Sequence, residues 1–190
     1  MAALTNVVPA ARAGIAAVLL DDGADARVTS ADGVNTLHAM LGSAALDPAF
    51  EAPVLRRPID GGADVNGVAE ESGTPLQVLM AQFRYTDEVL APFYDVLFSY
   101  SHLDLLKIGA YDKSAYAMAV KSGRRPALRL PTEQHLRVWW CDGPARARIG
   151  RGQAPLAGVY GPLGGPERRC RCAPAAGLAP ARTPKWSAAV

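Results

Sequence analysis

Residues 62–77 read GADVNGVAEESGTPLQ and join a helix-stop signal to a helix-start signal. Gly62 suits the left-handed backbone conformation in which many helices end. Thr74 can accept a hydrogen bond from the free amides of a helical first turn, and Pro75 fits the first helical position, where a missing N–H costs nothing. The stretch therefore predicts the end of one helix, a loop and the start of the next helix.

The same two signals recur at an interval of 39 to 40 residues along the chain. Gly23-Ala24-Asp25 returns as Gly62-Ala63-Asp64, and helix-start residues stand at Asn35, Thr74 and Ser114. Periods of 20 to 50 residues are typical of stacked supersecondary units that bury their apolar faces against each other. The interval predicts a repeat protein, for which surface recognition is a more natural function than chemistry in a central cleft.

Helices at the two ends of the repeated region follow from the spacing of apolar residues. The apolar residues within 15–20 lie at helical spacing, which predicts a helix near residues 10–22. The last helix is predicted over residues 132–140, where two adjacent tryptophans would cover the open end of the stack. Because proline removes a backbone hydrogen bond, we expect a weak or kinked helix around Pro58.

Four segments resemble parts of the ankyrin repeat and follow that family's order and register. They are residues 19–25, 35–38, 62–66 and 74–77. The resemblance covers about residues 10–143 and implies an all-α solenoid of about three helix-turn-helix units with finger loops. Ankyrin units usually repeat every 33 residues, so each unit here has about six extra residues, which fall between its two helices. The family implies a structural role for His38, which would join neighbouring turns by hydrogen bonds.

Charge and composition divide the chain into two parts. Residues 1–143 carry 12 Lys and Arg against 17 Asp and Glu, whereas residues 144–190 carry 8 against 1. Of these last 47 residues, 14 are Gly or Pro, a composition that cannot bury enough apolar surface to fold. We therefore expect an ankyrin-like domain over 1–143 and a disordered basic tail over 144–190. A GC-rich gene read out of frame gives a similar composition, so a frameshifted end is an alternative origin for the tail.

Several functional classes lack their sequence signals. Gly150-Arg151-Gly152 has neither the third glycine nor the flanking strand of a dinucleotide-binding loop, and Cys170 and Cys172 form one ligand pair where zinc sites usually have two. The longest apolar run, within 14–20, is too short to span a bilayer. The odd total of three cysteines argues against a disulfide framework. We expect a cytoplasmic monomer with no catalytic activity, cofactor or metal.

The ankyrin resemblance implies a module that binds an unidentified protein partner through finger loops and the concave helical face. Register alone assigns the contact residues, six on the fingers and two on the helices: Thr29, Asp32, Glu70, Glu71, Tyr111 and Asp112, with Gln82 and Lys121. Four of the finger residues are acidic, which favours a basic partner.

The basic tail leaves two other interpretations open. Its arginines could bind the phosphates of a nucleic acid or another anionic surface. The tail could also dock on the acidic strip of its own chain and block it.

Overall fold

The computed structural model describes residues 7–121 and 125–142, except for the side chains of Tyr111 and residues 138–142. In the described part the chain is all-α, with seven helices and no strand. The helices are α1 (Pro9–Asp21), α2 (Thr36–Leu41), α3 (Pro48–Asp60), α4 (Pro75–Met80), α5 (Asp87–Phe98), α6 (Ala115–Lys121) and α7 (Arg129–Asp142). Short 3-10 turns lie at Ala110–Asp112 and Pro126–Leu128.

The helices pack in two layers. The long helices α1, α3 and α5 lie side by side in one layer, and the short helices α2, α4 and α6 lie side by side in the other. Helices of only six or seven residues are unstable in isolation, so α2, α4 and α6 depend on this packing. The apolar core between the layers includes the buried residues Leu37, Leu41, Leu55, Leu79 and Leu97.

Each short helix starts at the residue that the sequence indicates. Asn35 Oδ1 accepts hydrogen bonds from the backbone amides that begin α2. Thr74 Oγ1 accepts from the amide of Gln77, and Ser114 Oγ accepts from the amide of Ala117. The three predicted helix starts are confirmed.

The start of one helix differs from the sequence-based prediction. The last helix is predicted over residues 132–140, but α7 begins at Arg129 because the 3-10 turn before it leads directly into helical backbone. Pro131 is accommodated since amides of a first helical turn have no intrahelical acceptor. Helix α3 contains Pro58, whose side chain is buried, and spans Pro48–Asp60. The predicted weakness or kink around Pro58 stays a prediction.

The first two short helices are each joined to a long helix by a turn. Residues 42–47 connect α2 to α3, and residues 81–86 connect α4 to α5. The long helices that follow contain 13 and 12 residues. The loops before the short helices, residues 22–35, 61–74 and 99–114, are the first, second and third fingers, and each finger with the short and the long helix after it forms one unit.

A buried arginine holds each of these turns. Arg12 forms an ion pair with Glu51 and also donates to Ser43 Oγ in the first turn. Arg125 forms an ion pair with Asp87, at 3.0 Å, and donates to Met80 O at the end of α4 and to Gln82 O and Tyr85 O in the second turn. The two turns are thereby fixed by contacts from parts of the chain far away in sequence.

In the part of the chain that the structure describes, no helix is long and apolar enough to cross a membrane. The predicted disordered tail over 144–190 lies outside the described residues.

Candidate interaction groove

A groove of about 400 Å³ lies between the short helices and the finger loops. Its floor is apolar and comes from the helices, with Val78 and Ala81 at the end of α4 and Met118 on α6. One wall comes from the fingers and includes Glu71 and Ala110. The lining also includes His38 on α2, so the groove extends along α2, α4 and α6 and combines an apolar base with a charged rim.

Small residues at the ends of the short helices leave space above the apolar base of the groove. Ala81 follows α4, and Gly42, which is 39 residues earlier, follows α2. A Cβ on Gly42 would meet Val78 Cγ1 at 3.3 Å and His38 O at 2.8 Å. A larger side chain at either position would project from the end of its helix toward the groove that both residues line.

Two polar side chains in the groove, His38 and Gln77, hold the finger loops in place. His38 Nε2 donates to Gly73 O at 2.8 Å, and Gln77 Nε2 donates to Lys113 O at 2.7 Å. Gln77 Oε1 accepts from the backbone amides of Thr74 and Ala110. The helices α2 and α4 thus each fix the finger of the following unit.

The first two fingers also contact each other through backbone atoms. The Glu70 amide donates to Asp32 O at 3.0 Å. Gly33 has a φ of 80°, and a Cβ there would lie 2.4 Å from Val68 O. The close approach requires glycine at position 33, and it brings the backbone of the first finger against that of the second.

Burial lowers the pKa of His38 below its usual value near 6.5, although the bond to Gly73 O opposes this effect. The imidazole is therefore neutral at physiological pH. We assign its proton to Nε2, because Gly73 O can only accept; Nδ1 then accepts from the backbone amide of Asn35 at 3.2 Å and also lies 2.7 Å from Asn35 Oδ1. Neutral His38 supplies the groove with a fixed hydrogen bond and no charge.

We expect His38→Gln to reduce the pH dependence of stability. The folded pKa of His38 is lowered, so its contribution is fully present above pH 6.5 and falls as the pH drops through that value toward the folded pKa. Gln77 makes the equivalent bond in the next unit, so glutamine should preserve the fold to within about 1 kcal/mol at pH 7.5.

The measurement is urea unfolding at pH 7.5 and at pH 5.0. The variant should lose less stability on acidification than the native chain. Some loss will persist because burial also lowers the pKa of His135. An equal loss in both proteins would show that His38 does not couple to folding.

The charge of the rim comes from carboxylates. Asp32, Glu70, Glu71 and Asp112 are exposed, and among the described residues none of them belongs to an ion pair. One exposed cation, Lys113, follows Asp112 in the third finger. Within the groove lining, Glu71 is the residue that carries a charge at neutral pH, since His38 is neutral.

Some of the residues that register assigns to partner contacts line the groove, and others lie outside it. Of the eight, Glu71 and Gln82 line the groove. Gln82 Nε2 donates to Leu41 O at 2.8 Å, which commits its amide group to the first inter-helix turn. Exposed positions outside the lining are Thr29, Asp32, Glu70, Asp112 and Lys121. The Tyr111 side chain lies outside the described atoms.

Sequence reasoning did not identify the groove floor. Val78 and Met118 belong to helices whose starts the sequence predicts. Their distance from the helix caps is the sequence signal that could have placed them on the same face of the repeat. Two exposed apolar residues, Val68 and Ile108, were also missed. Each stands six residues before its helix cap, the position that Thr29 occupies in the first finger.

Comparisons with protein-family models, curated proteins and solved structures found no match to this chain. Among the described residues, no group of three or more His, Cys, Asp or Glu side chains is arranged to hold a metal ion.

Proposed function

We propose that this chain is an ankyrin-like repeat module that binds another protein through the groove and the finger loops. The groove is the observation that carries the proposal, because it joins the helical face and the fingers in one concave surface. A solenoid displays such a surface along its length. We also propose that the module is non-catalytic and acts as a monomer in the cytoplasm.

The chemistry of the groove suits contact with a polypeptide. Val78 and Met118 offer apolar area at the floor. His38 and Gln77 are committed to backbone atoms of the fingers, so the floor presents few unsatisfied polar groups to a partner. Interfaces with proteins combine an apolar centre with a polar rim, and Glu71 supplies part of that rim.

The unpaired carboxylates on the fingers favour a basic partner. Asp32, Glu70, Glu71 and Asp112 would attract cationic side chains during the approach of the partner. Rim charges of this kind act chiefly on the association rate constant, whereas the apolar floor would limit dissociation. The alternative of nucleic-acid binding through the tail stays a prediction.

The test is a double charge reversal on the second finger, Glu70→Lys with Glu71→Lys. Partners captured with the full-length chain are identified by mass spectrometry, and their binding to the native chain and the variant is measured by surface plasmon resonance. We expect the association rate constant to fall about tenfold, since the carboxylates are unpaired and exposed. The melting temperature should shift by no more than a few degrees.

Asp22→Lys is the matched control, because Asp22 is exposed at the end of α1 and is not part of the groove lining. It should leave binding unchanged. Equal binding by the native chain and the finger variant would remove the acidic rim from the proposal.

A further inference from the structure

We propose that the groove is a docking site for the C-terminal segment 144–190 of the same chain, which an external partner must displace. The inference rests on the proposed function, because it takes the groove as the binding surface. The proposed occupant has a known sequence, so binding to the groove can be measured before any external partner is identified.

The groove requires an occupant with both apolar and cationic groups. The floor residues Val78, Ala81 and Met118 offer apolar surface, and Glu71 projects a carboxylate from the wall. The neighbouring fingers add the exposed carboxylates of Asp32, Glu70 and Asp112, while the cations of the fingers are Arg27, which pairs with Asp25, and Lys107 and Lys113. An acidic or purely apolar segment would leave these carboxylates without a countercharge.

The segment 144–190 has the complementary composition. It carries 8 Lys and Arg against 1 acidic residue, whereas residues 1–143 carry an excess of 5 negative charges. Its densest cationic cluster is Arg168-Arg169-Cys170-Arg171, and Leu163 lies five residues before that cluster. A short stretch of this segment therefore offers an aliphatic side chain beside several guanidinium groups, which suits the groove floor and its rim.

The covalent connection makes docking favourable even if each contact is weak. Arg168 lies 26 residues beyond Asp142, the last residue of α7, and an extended chain of that length spans up to about 85 Å. A domain of this size has a radius of gyration of about 14 Å, so the cluster can reach any part of its surface. A covalent tether long enough to span the distance gives an effective concentration of roughly 1 mM. A weakly bound segment would still be docked in a large fraction of molecules.

The first experiment compares hydrogen exchange in the native full-length chain and in a full-length variant with Arg168→Gln, Arg169→Gln and Arg171→Gln. We expect amides of residues 70–82 to exchange several-fold faster in the variant, while amides of α1 exchange equally and serve as the internal reference. Sodium chloride at 0.5 M should produce the same acceleration in the native chain, because it screens the charge pairs. Identical exchange in both chains would overturn the proposal.

The second experiment separates this inference from the proposed function. The probe is a fluorescein-labelled synthetic peptide of residues 160–175 in which Cys170 and Cys172 are replaced by serine. In fluorescence anisotropy, the peptide should bind the arginine variant at least tenfold more tightly than the native chain, in which the tethered segment competes. Adding Glu71→Lys to the arginine variant should weaken that binding.

Equal affinity for both chains would overturn docking by the tethered segment and leave the groove standing as a binding surface. If the peptide binds neither chain, docking is also overturned. The proposed function is then decided separately, by the captured partner and the finger variant.

Discussion

Replacing Arg125 with methionine should lower the free energy of unfolding by about 3–5 kcal/mol, because it leaves Asp87 buried without a countercharge. The exposed fractions of the two side chains are 4% and 7%, so water cannot replace the missing guanidinium. The substitution also removes the donor from Met80 O at the end of α4 and from Gln82 O and Tyr85 O in the turn after it. Since that turn closes one end of the groove, partner binding should weaken together with stability.

The matched control is Arg129→Met, four residues later. Arg129 pairs with Glu133 on the surface of α7, with 63% of its side chain exposed. An exposed pair of this spacing contributes less than about 0.5 kcal/mol. Urea unfolding at pH 7 measures both variants. A loss below about 1 kcal/mol for Arg125→Met would show that Asp87 finds water or another donor on rearrangement.

Combining Arg125→Met with Asp87→Asn tests the cause of the loss. A neutral amide costs far less to bury than a carboxylate, so the double variant should recover part of the stability. No recovery would assign the loss to the three carbonyl oxygens that accept from Arg125.

The helix starts could be predicted because their physical causes are local. Asn35, Thr74 and Ser114 each accept a hydrogen bond from an amide two or three residues further along the chain. Such a contact depends on the residue type and its immediate successors. The same locality explains Gly23 and Gly62, which both have the positive φ that the helix-stop pattern predicts.

The buried ion pairs could not be predicted because each one joins residues that are distant in sequence. Arg12 and Glu51 are separated by 39 residues, and Asp87 and Arg125 by 38. In the sequence, Arg12 is an isolated charge in the first turn of a largely apolar helix. Only the packing of α1 against α3 shows that its guanidinium lies against a carboxylate.

The candidate site was predicted in part, for the same reason. Register places Glu71 on a finger, and the structure puts it on the groove wall. The assignment of Gln82 as a contact residue overlooked a long-range bond, since its amide donates to Leu41 O in the preceding unit. Val78 and Met118 become neighbours across the floor only when two units stack. The shape of the site is therefore a property of contacts between units and not of any single motif.

Replacing Gly73 with alanine should have a comparably large effect, about 2–5 kcal/mol, through two separate causes. Its φ of 78° is unfavourable for any residue with a Cβ. In addition, a Cβ would lie 2.2 Å from Gln77 Oε1 and 2.4 Å from the backbone nitrogen of Ala110, which is too close for either atom. The backbone of the third finger must therefore move away from the second.

Gly23→Ala separates these causes, because Gly23 has a φ of 85° and a Cβ there would meet nothing within 4 Å. This variant should lose only the free energy that the unfavourable positive φ costs a residue with a Cβ, about 1 kcal/mol. Urea unfolding measures the stability difference, and hydrogen exchange of the Ala110 amide reports on its bond to Gln77 Oε1. We expect that amide to exchange faster in Gly73→Ala and not in Gly23→Ala. Equal losses in the two variants would mean that the fingers adapt without strain, and that the groove wall is not fixed by the contact between Gly73 and the third finger.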